Sequence, residues 1–511
     1  MCLKAKPALL YCMTALVKTA TTLGFQGQAV DVECDITNGL PSLQIVGLGN
    51  KAIDEAKERV RSALRNSGLE MPAKRITINL APADIPKNGS HFDLPIAIAI
   101  MQSNDQLNYA DTDRTFFAGE LALDGTLRPI KGIINIAEAA KKSGANRIII
   151  PQQNVEQALL VEGITVCGCN DLKNVFLLLK RQIEVPQNVP TISNQQLAFS
   201  TYVDDIKGQA HAKRALLVAA AGNHNILLSG PPGAGKTMLA KALLSILPPL
   251  TQSEIIEVTK LHSLHRQTTK IFMNRPFRSP HHSASHVSLI GGGNVPRPGE
   301  ISLAHRGVLF LDELPEYSRL SLEALRQPLE DKEVHIARAR DHVSYPADFM
   351  LIATRNPCPC GYYGDRSRAC VCSLASVERY QQKISGPLLD RIDINITLSR
   401  VGADELTNSQ SQKTDESESA QRQVNSARIA QLNRYQNTSI TNASASNKEM
   451  TKHMKLNSVN KQFLNTAADK LQLSARSYFK VLKVAQTIAD LADSPSIEMP
   501  HLTESLQYRQ K

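Results

Sequence analysis

Gly230-Pro231-Pro232-Gly233-Ala234-Gly235-Lys236-Thr237 matches the phosphate-binding pattern G-x-x-x-x-G-K-[ST] at every specified position. The preceding Asn225-Ile226-Leu227-Leu228-Ser229 reads as a buried strand, and Met238-Leu239-Ala240-Lys241-Ala242-Leu243 opens a helix behind it. That strand–loop–helix setting is what separates a nucleotide loop from an ordinary glycine turn. The glycines let successive backbone N–H groups turn onto phosphate oxygens, and the helix N-terminus adds its positive dipole end. Lys236 is expected to neutralise the β- and γ-phosphates of ATP, and the Thr237 hydroxyl to ligate Mg²⁺.

A second pattern lies about 75 residues downstream, as this site class requires. Gly307-Val308-Leu309-Phe310-Leu311-Asp312-Glu313 is an apolar run ending in two carboxylates. Four consecutive apolar positions imply a central parallel strand, buried on both faces. Such a strand delivers Asp312 to the carboxyl edge of the sheet, where ligands bind. Asp312 is expected to hold Mg²⁺ with Thr237, and Glu313 to polarise the attacking water. Together the two patterns predict ATP hydrolysis.

Composition agrees with a globular enzyme of about three domains: 511 residues, 42% hydrophobic and 21% charged. The formal net charge of +10 suits a polyanionic partner. No apolar run approaches the ~20 residues that cross a membrane, and the opening Met1-Cys2-Leu3-Lys4-Ala5-Lys6 imitates an export signal only faintly. A cytoplasmic location is expected, and because Met13 is an alternative start, no role is placed on the first dozen residues.

Along the chain, residues 1–22 read as an extension and 23–179 as a first domain of strands alternating with helices. Strands are expected at 30–34, 43–46, 76–79 and 147–150, and helices at 52–66 and 133–143. Residues 180–201 are polar, contain Pro186 and Pro190, and read as a linker. The nucleotide domain spans 202–401. Residues 402–449, rich in Ser, Gln, Asn and Thr, read as a partly mobile linker with helix potential only at 420–435. A helical block closes the chain at 450–508.

Further patterns in the nucleotide domain form a series. Leu351-Ile352-Ala353-Thr354-Arg355-Asn356 is an apolar strand ending at Asn356, Gly386-Pro387-Leu388-Leu389-Asp390-Arg391 follows, and Leu473-Ser474-Ala475-Arg476 opens a helix. This series resembles the AAA+ ATPases of the magnesium-chelatase and MCM-helicase branch, an α/β P-loop core with a helical lid. By that resemblance Asn356 orients the lytic water, Arg391 is the finger offered to a neighbouring subunit's γ-phosphate, and Arg476 touches nucleotide from the lid. A planar, permanently charged guanidinium suits both last roles. The alternatives are a salt bridge from Arg391 to Asp390 or Asp393, and a helix-surface charge at Arg476. Phe277-Arg278-Ser279-Pro280-His281-His282, Gly291-Gly292-Gly293, Pro296-Arg297-Pro298-Gly299-Glu300 and Asn356-Pro357-Cys358-Pro359-Cys360-Gly361 look like the ComM family of YifB-type Mg-chelatase-like ATPases. The resemblance covers nearly the whole chain. It implies a homohexameric ATP-driven motor on single-stranded and branched DNA. Such a motor promotes branch migration in natural transformation and homologous recombination, alongside recombination proteins. The alternative is a chelatase-like ATPase that remodels a protein partner.

Three segments bear on partners and metals. Val334-His335-Ile336-Ala337-Arg338-Ala339-Arg340-Asp341-His342-Val343-Ser344-Tyr345 reads as a β-hairpin with a charged tip. In the helicase branch this hairpin points into the ring channel, so Arg338 and Arg340 are the DNA-binding candidates; the alternative is a solvated tip. Cys358, Cys360, Cys370 and Cys372, spaced C-x-C-x₉-C-x-C, fit a closed structural zinc site, or else four reduced thiols in a surface loop. Cys167 and Cys169 lack a second pair and read as core residues. Finally, Pro86-Lys87-Asn88-Gly89-Ser90-His91-Phe92-Asp93 resembles the active-site segment of Lon-type proteases, which implies a Lon protease-like (ribosomal S5 domain 2-like) α+β fold for the first domain. His91 stands at the nucleophile's position and Ile134 at the partner lysine's. Without that Ser–Lys dyad, peptidase activity is not expected, and the domain is read as an assembly or DNA-guiding unit.

Overall fold

The computed structural model describes residues 14–47, 51–108, 112–184, 199–293, 296–337, 342–365, 368–402, 415–454 and 456–509. In the first domain, alternation of apolar and polar residues sets the strands. Along Arg75–Ala81, Ile76, Ile78 and Leu80 are fully buried while their neighbours are not. Seven strands form one sheet in the order Ser42–Val46, Arg75–Ala81, Gln26–Thr37, Ala15–Leu23, Thr115–Phe117, Arg147–Pro151, Thr165–Cys169. Ala15–Leu23 and Gln26–Thr37 pair antiparallel around Gly24, whose φ of +58° suits a residue without a Cβ. Thr115–Phe117, Arg147–Pro151 and Thr165–Cys169 run parallel. Helices Lys51–Asn66, Asp93–Ser103 and Ile133–Lys142 cover the sheet, and Asp93–Ser103 is buried over its first nine residues.

Two boundaries differ from the sequence reading. Residues 15–22, assigned to an extension, are an interior strand of this sheet. Residues 402–449 read in sequence as a partly mobile linker with helix potential only at 420–435; the helix forms there and extends over Glu416–Tyr435, 20 residues. It packs on the core helix Ala210–Gly222, where Val424 and Ala427 join the core cluster, and on Ala475–Leu491 of the closing block. The lid therefore begins upstream of residue 450. Residues 403–414 lie outside the described residues.

The nucleotide domain holds a five-stranded sheet, all parallel, in the order Phe277–Arg278, Val308–Leu311, Met350–Arg355, Ile226–Ser229, Ile394–Thr397. Val308–Leu311 is buried at all four positions and flanked on both sides, as its unbroken apolar run requires. The hairpin also forms: Glu333–Ala337 pairs with His342–Pro346, Glu333 facing Pro346 and Ala337 facing His342. Residues 338–341, which carry Arg338 and Arg340, lie outside the described residues.

The first domain is bonded to the core. Gln157 donates to the carbonyls of Thr268 (3.0 Å) and Lys270 (2.9 Å). Lys260 pairs with Glu138 at 2.5 Å and lies 4.3 Å over the ring of Phe25. Among the described residues, no helix is long and apolar enough to cross a membrane.

Candidate active site

The loop 230–237 leaves the carboxyl end of the Ile226–Ser229 strand and runs into the helix Lys236–Ile246. Gly233 and Gly235 take φ of +79° and +83°, and a Cβ on either would point into open space. The loop is thus a backbone-walled cradle. The Lys236 ammonium donates to the carbonyls of Gly230 (2.6 Å) and Pro231 (3.1 Å) and to Oδ1 of Asn356 (2.9 Å). Burial pulls its pKa down, and the nearby carboxylates of Asp312 and Glu313 partly offset that.

Asp312 and Glu313 follow the next strand but one. The Thr237 hydroxyl lies 3.5 Å from Oδ2 of Asp312. Thr354, on the adjacent strand, donates to Oδ1 of Asp312 at 2.5 Å, and its hydroxyl accepts the N–H of Glu313 at 2.9 Å. Glu313 itself has φ +52°, a left-handed backbone that a side chain adopts only where the surroundings hold it. Lys236, Thr237, Asp312, Glu313 and Asn356 therefore converge on one edge of the sheet. Sequence reasoning missed Thr354; its only signal was a hydroxyl interrupting an apolar strand.

The two arginines lie at the other edge. Arg391 precedes the Ile394–Thr397 strand, so it sits at the amino ends of the parallel strands. Asn225, at the start of the strand leading into the phosphate loop, donates to the Arg391 carbonyl at 2.9 Å. A strand of four residues, about 13 Å, separates that edge from the loop. Arg391 pairs with Glu330 at 2.7 Å rather than with Asp390 or Asp393, and donates to the carbonyls of Pro387 (2.6 Å) and Arg326 (3.1 Å). Arg476 reaches the same Glu330 at 2.8 Å. Both arginines hold the Glu330 carboxyl below its usual range, Arg391 more strongly. Arg391, Arg476 and Glu330 line one cavity of about 550 Å³ with Lys480 and Lys483. Arg476, expected on nucleotide from the lid, is not beside its own phosphate loop. The lid seats it with Arg391, because Lys480, one turn on, is anchored to the Ile392 carbonyl at 2.7 Å.

These features can be set beside known proteins. Residues 202–406 match the family model described as magnesium chelatase, subunit ChlI; residues 32–154 match a second ChlI model, and residues 414–509 the ChlI C-terminal model. The chain is 44% identical over 502 residues to competence protein ComM of Haemophilus influenzae, covering 97% of each chain. It belongs to the ComM/YifB family. YifB of Escherichia coli, an uncharacterized protein, is 42% identical over 504 residues with the same coverage. Lon protease 2 of Bacillus subtilis is 29% identical over 230 residues, 40% of this chain and 41% of that one. A ComM/YifB chain is thus a mixed α/β protein with a magnesium-chelatase-type AAA+ core and a Lon-like region. That core implies nucleotide and Mg²⁺, which the open glycine cradle and the Thr237–Asp312 pair fit.

Two further features of this ComM/YifB chain concern the expected metal site and the missing dyad. Cys358, Cys360 and Cys370 have sulfurs 3.3 to 3.6 Å apart, and with Cys372 all four lie within 4.8 Å of one another. Zinc–sulfur bonds of about 2.3 Å give a tetrahedron edge of about 3.8 Å, so the cluster is close to ligand spacing. The N–H groups of Tyr362 and Val371 hold the Cys360 thiol down at about 6, while its neighbours in the cluster push Cys370 and Cys372 up, so one thiolate is shared among hydrogen-bonded thiols. Cys167 and Cys169 are buried in a strand of the first domain. In the Lon-like segment His91 is buried and bonded to the Ala20 carbonyl at 3.0 Å, Ile134 is core, and the Ser90 hydroxyl donates to Glu120.

Proposed function

We propose that this chain is a cytoplasmic ATP-driven motor that assembles as a homohexameric ring on single-stranded and branched DNA and drives branch migration during homologous recombination and natural transformation. The observation that carries the ring is the separation of Arg391 and Arg476 from their own phosphate loop. A site with lysine, magnesium ligands and general base at one edge, and its arginines at the other, is completed by a second copy. The DNA reading is supported by the paired strands Glu333–Ala337 and His342–Pro346, by the Arg338 and Arg340 that the sequence places between them, and by the net charge of +10.

In that site Gly230, Pro231, Pro232, Gly233, Ala234 and Gly235 wrap the phosphates, and Lys236 trades its carbonyl partners for β- and γ-oxygens. Thr237 and Asp312 would hold Mg²⁺, which would supply positive charge against the negative charge that develops in the reaction. Glu313 accepts the proton of the attacking water, and Asn356 orients that water. The neighbour's Arg391 and Arg476 release Glu330 and turn to the γ-phosphate. Cys358, Cys360, Cys370 and Cys372 hold a structural zinc ion.

The test is ATP turnover of the wild type and of Lys236→Ala with single-stranded, forked and four-way DNA. We expect DNA to stimulate turnover, forked DNA to be unwound, and the variant to lose a factor on the order of 10² to 10³. Turnover that DNA does not change, with no unwinding, would favour the protein-remodelling alternative.

A further inference from the structure

A groove of about 360 Å³ runs between the first domain and the core. One wall is the Lon-like segment with Ser90 and His91, together with Lys131; the other is Arg297 of the core and the base of the hairpin, Val343 and Tyr345. The walls are fixed to each other. Gly24 of the first domain packs so tightly on Val343 that a Cβ there would collide with it, and Gln267 of the core donates to the Pro129 carbonyl of the first domain.

The charges in this groove are unbalanced. Lys131 and Arg297 are exposed, and no ion pair joins either to a carboxylate among the described residues. The carboxylate in the described lining is Glu120, and it is already engaged by the Ser90 hydroxyl and by Arg128 at 3.8 Å. Both cations line the one groove, and the Lys131 pKa is lowered by partial burial and further by the field of Arg297. Two like charges held together without a counter-charge gain from an anion between them. Hydrolytic chemistry does not account for the groove. Ser90 is held by a carboxylate rather than an amine, and burial pushes the His91 ring down to about 4, keeping it neutral.

We propose that Lys131 and Arg297 together bind a backbone phosphate of the DNA strand that the ring engages. The inference rests on the DNA reading above and extends it: the strand that meets the hairpin tip continues along the hairpin base into the groove. The pocket beside the Lon-like segment thereby becomes part of the nucleic-acid track, and the first domain supplies one of its cations.

The experiment is fluorescence anisotropy of the full chain with a labelled single-stranded oligonucleotide across a salt series. Each phosphate contact contributes about 0.7 to the slope of log affinity against log salt on single strands. Lys131→Ala combined with Arg297→Ala removes the one phosphate contact and is expected to reduce that slope by about 0.7. The charge-conserving pair Lys131→Arg and Arg297→Lys is expected to keep it. An unchanged slope for the alanine pair, with the wild type binding DNA, overturns the groove and leaves the motor standing. Absence of salt-dependent DNA binding by the wild type overturns both.

Discussion

Thr354 shows how one hydroxyl ties two reacting groups together. It holds Asp312 through a hydrogen bond of 2.5 Å and pins the strained backbone of Glu313 through another of 2.9 Å, while itself fully buried. Replacing it with valine keeps the shape, removes both bonds, and leaves the part-buried Glu313 N–H without this partner, a cost of at most about 1–3 kcal/mol. Thr354→Val is therefore expected to lower kcat by about tenfold or more while nucleotide affinity changes little, because Lys236 and the glycine cradle are untouched. Turnover and equilibrium nucleotide binding measured side by side check this; a loss confined to binding would contradict it. The carboxylates themselves were legible in sequence, since a buried parallel strand writes itself as an apolar run ending at the chemistry. Thr354 was not, because nothing in a linear pattern says which neighbouring strand a hydroxyl will face.

The four-cysteine loop acts on the scale of an element. It leaves the Met350–Arg355 strand just past Asn356, and Gly361 (φ +85°) lies against the phosphate loop: a Cβ there would stand 2.6 Å from Cδ of Pro232. Metal binding would thus stiffen a turn that supports both Asn356 and the phosphate loop. We expect one zinc ion per chain in the wild type, none in Cys358→Ser, and a several-fold rise in the KM for ATP in that variant. Metal analysis with turnover checks this, and a wild type free of zinc would contradict it. The elements misread in sequence share a cause. Along Ala15–Leu23 the inward positions include Thr19 and Thr21, both fully buried, so the apolar alternation that marks a strand is broken. The helix Glu416–Tyr435 was legible over 420–435, but it buries the polar Ser417 and Gln431 beside Val424 and Ala427, so its docking on the core read as linker. By contrast, the hairpin at residues 333–346 alternates plainly, with Val334, Ile336, Val343 and Tyr345 buried.

For the whole molecule, the decisive fact is that the phosphate loop and the Arg391–Arg476 pair lie on opposite edges of one sheet, and in the proposed ring they are the two halves of a site. Sequence supplied both halves, because each sits in a recognisable local pattern. It could not supply their separation, which depends on how the lid seats Arg476 beside Arg391. Glu330 pairs with both arginines, and in the proposed ring a neighbour's phosphate would compete with it for them. A finger arginine is worth about 10³ to 10⁵ in turnover, so Arg391→Ala and Lys236→Ala should each be nearly inactive alone. Mixing the two variants in equal amounts is the most direct test. Where an Arg391→Ala chain offers its intact phosphate loop to a Lys236→Ala chain's intact arginine, a complete site forms, at about a quarter of random interfaces. The account predicts that ATP turnover reappears on mixing; a mixture as inactive as its components would contradict it.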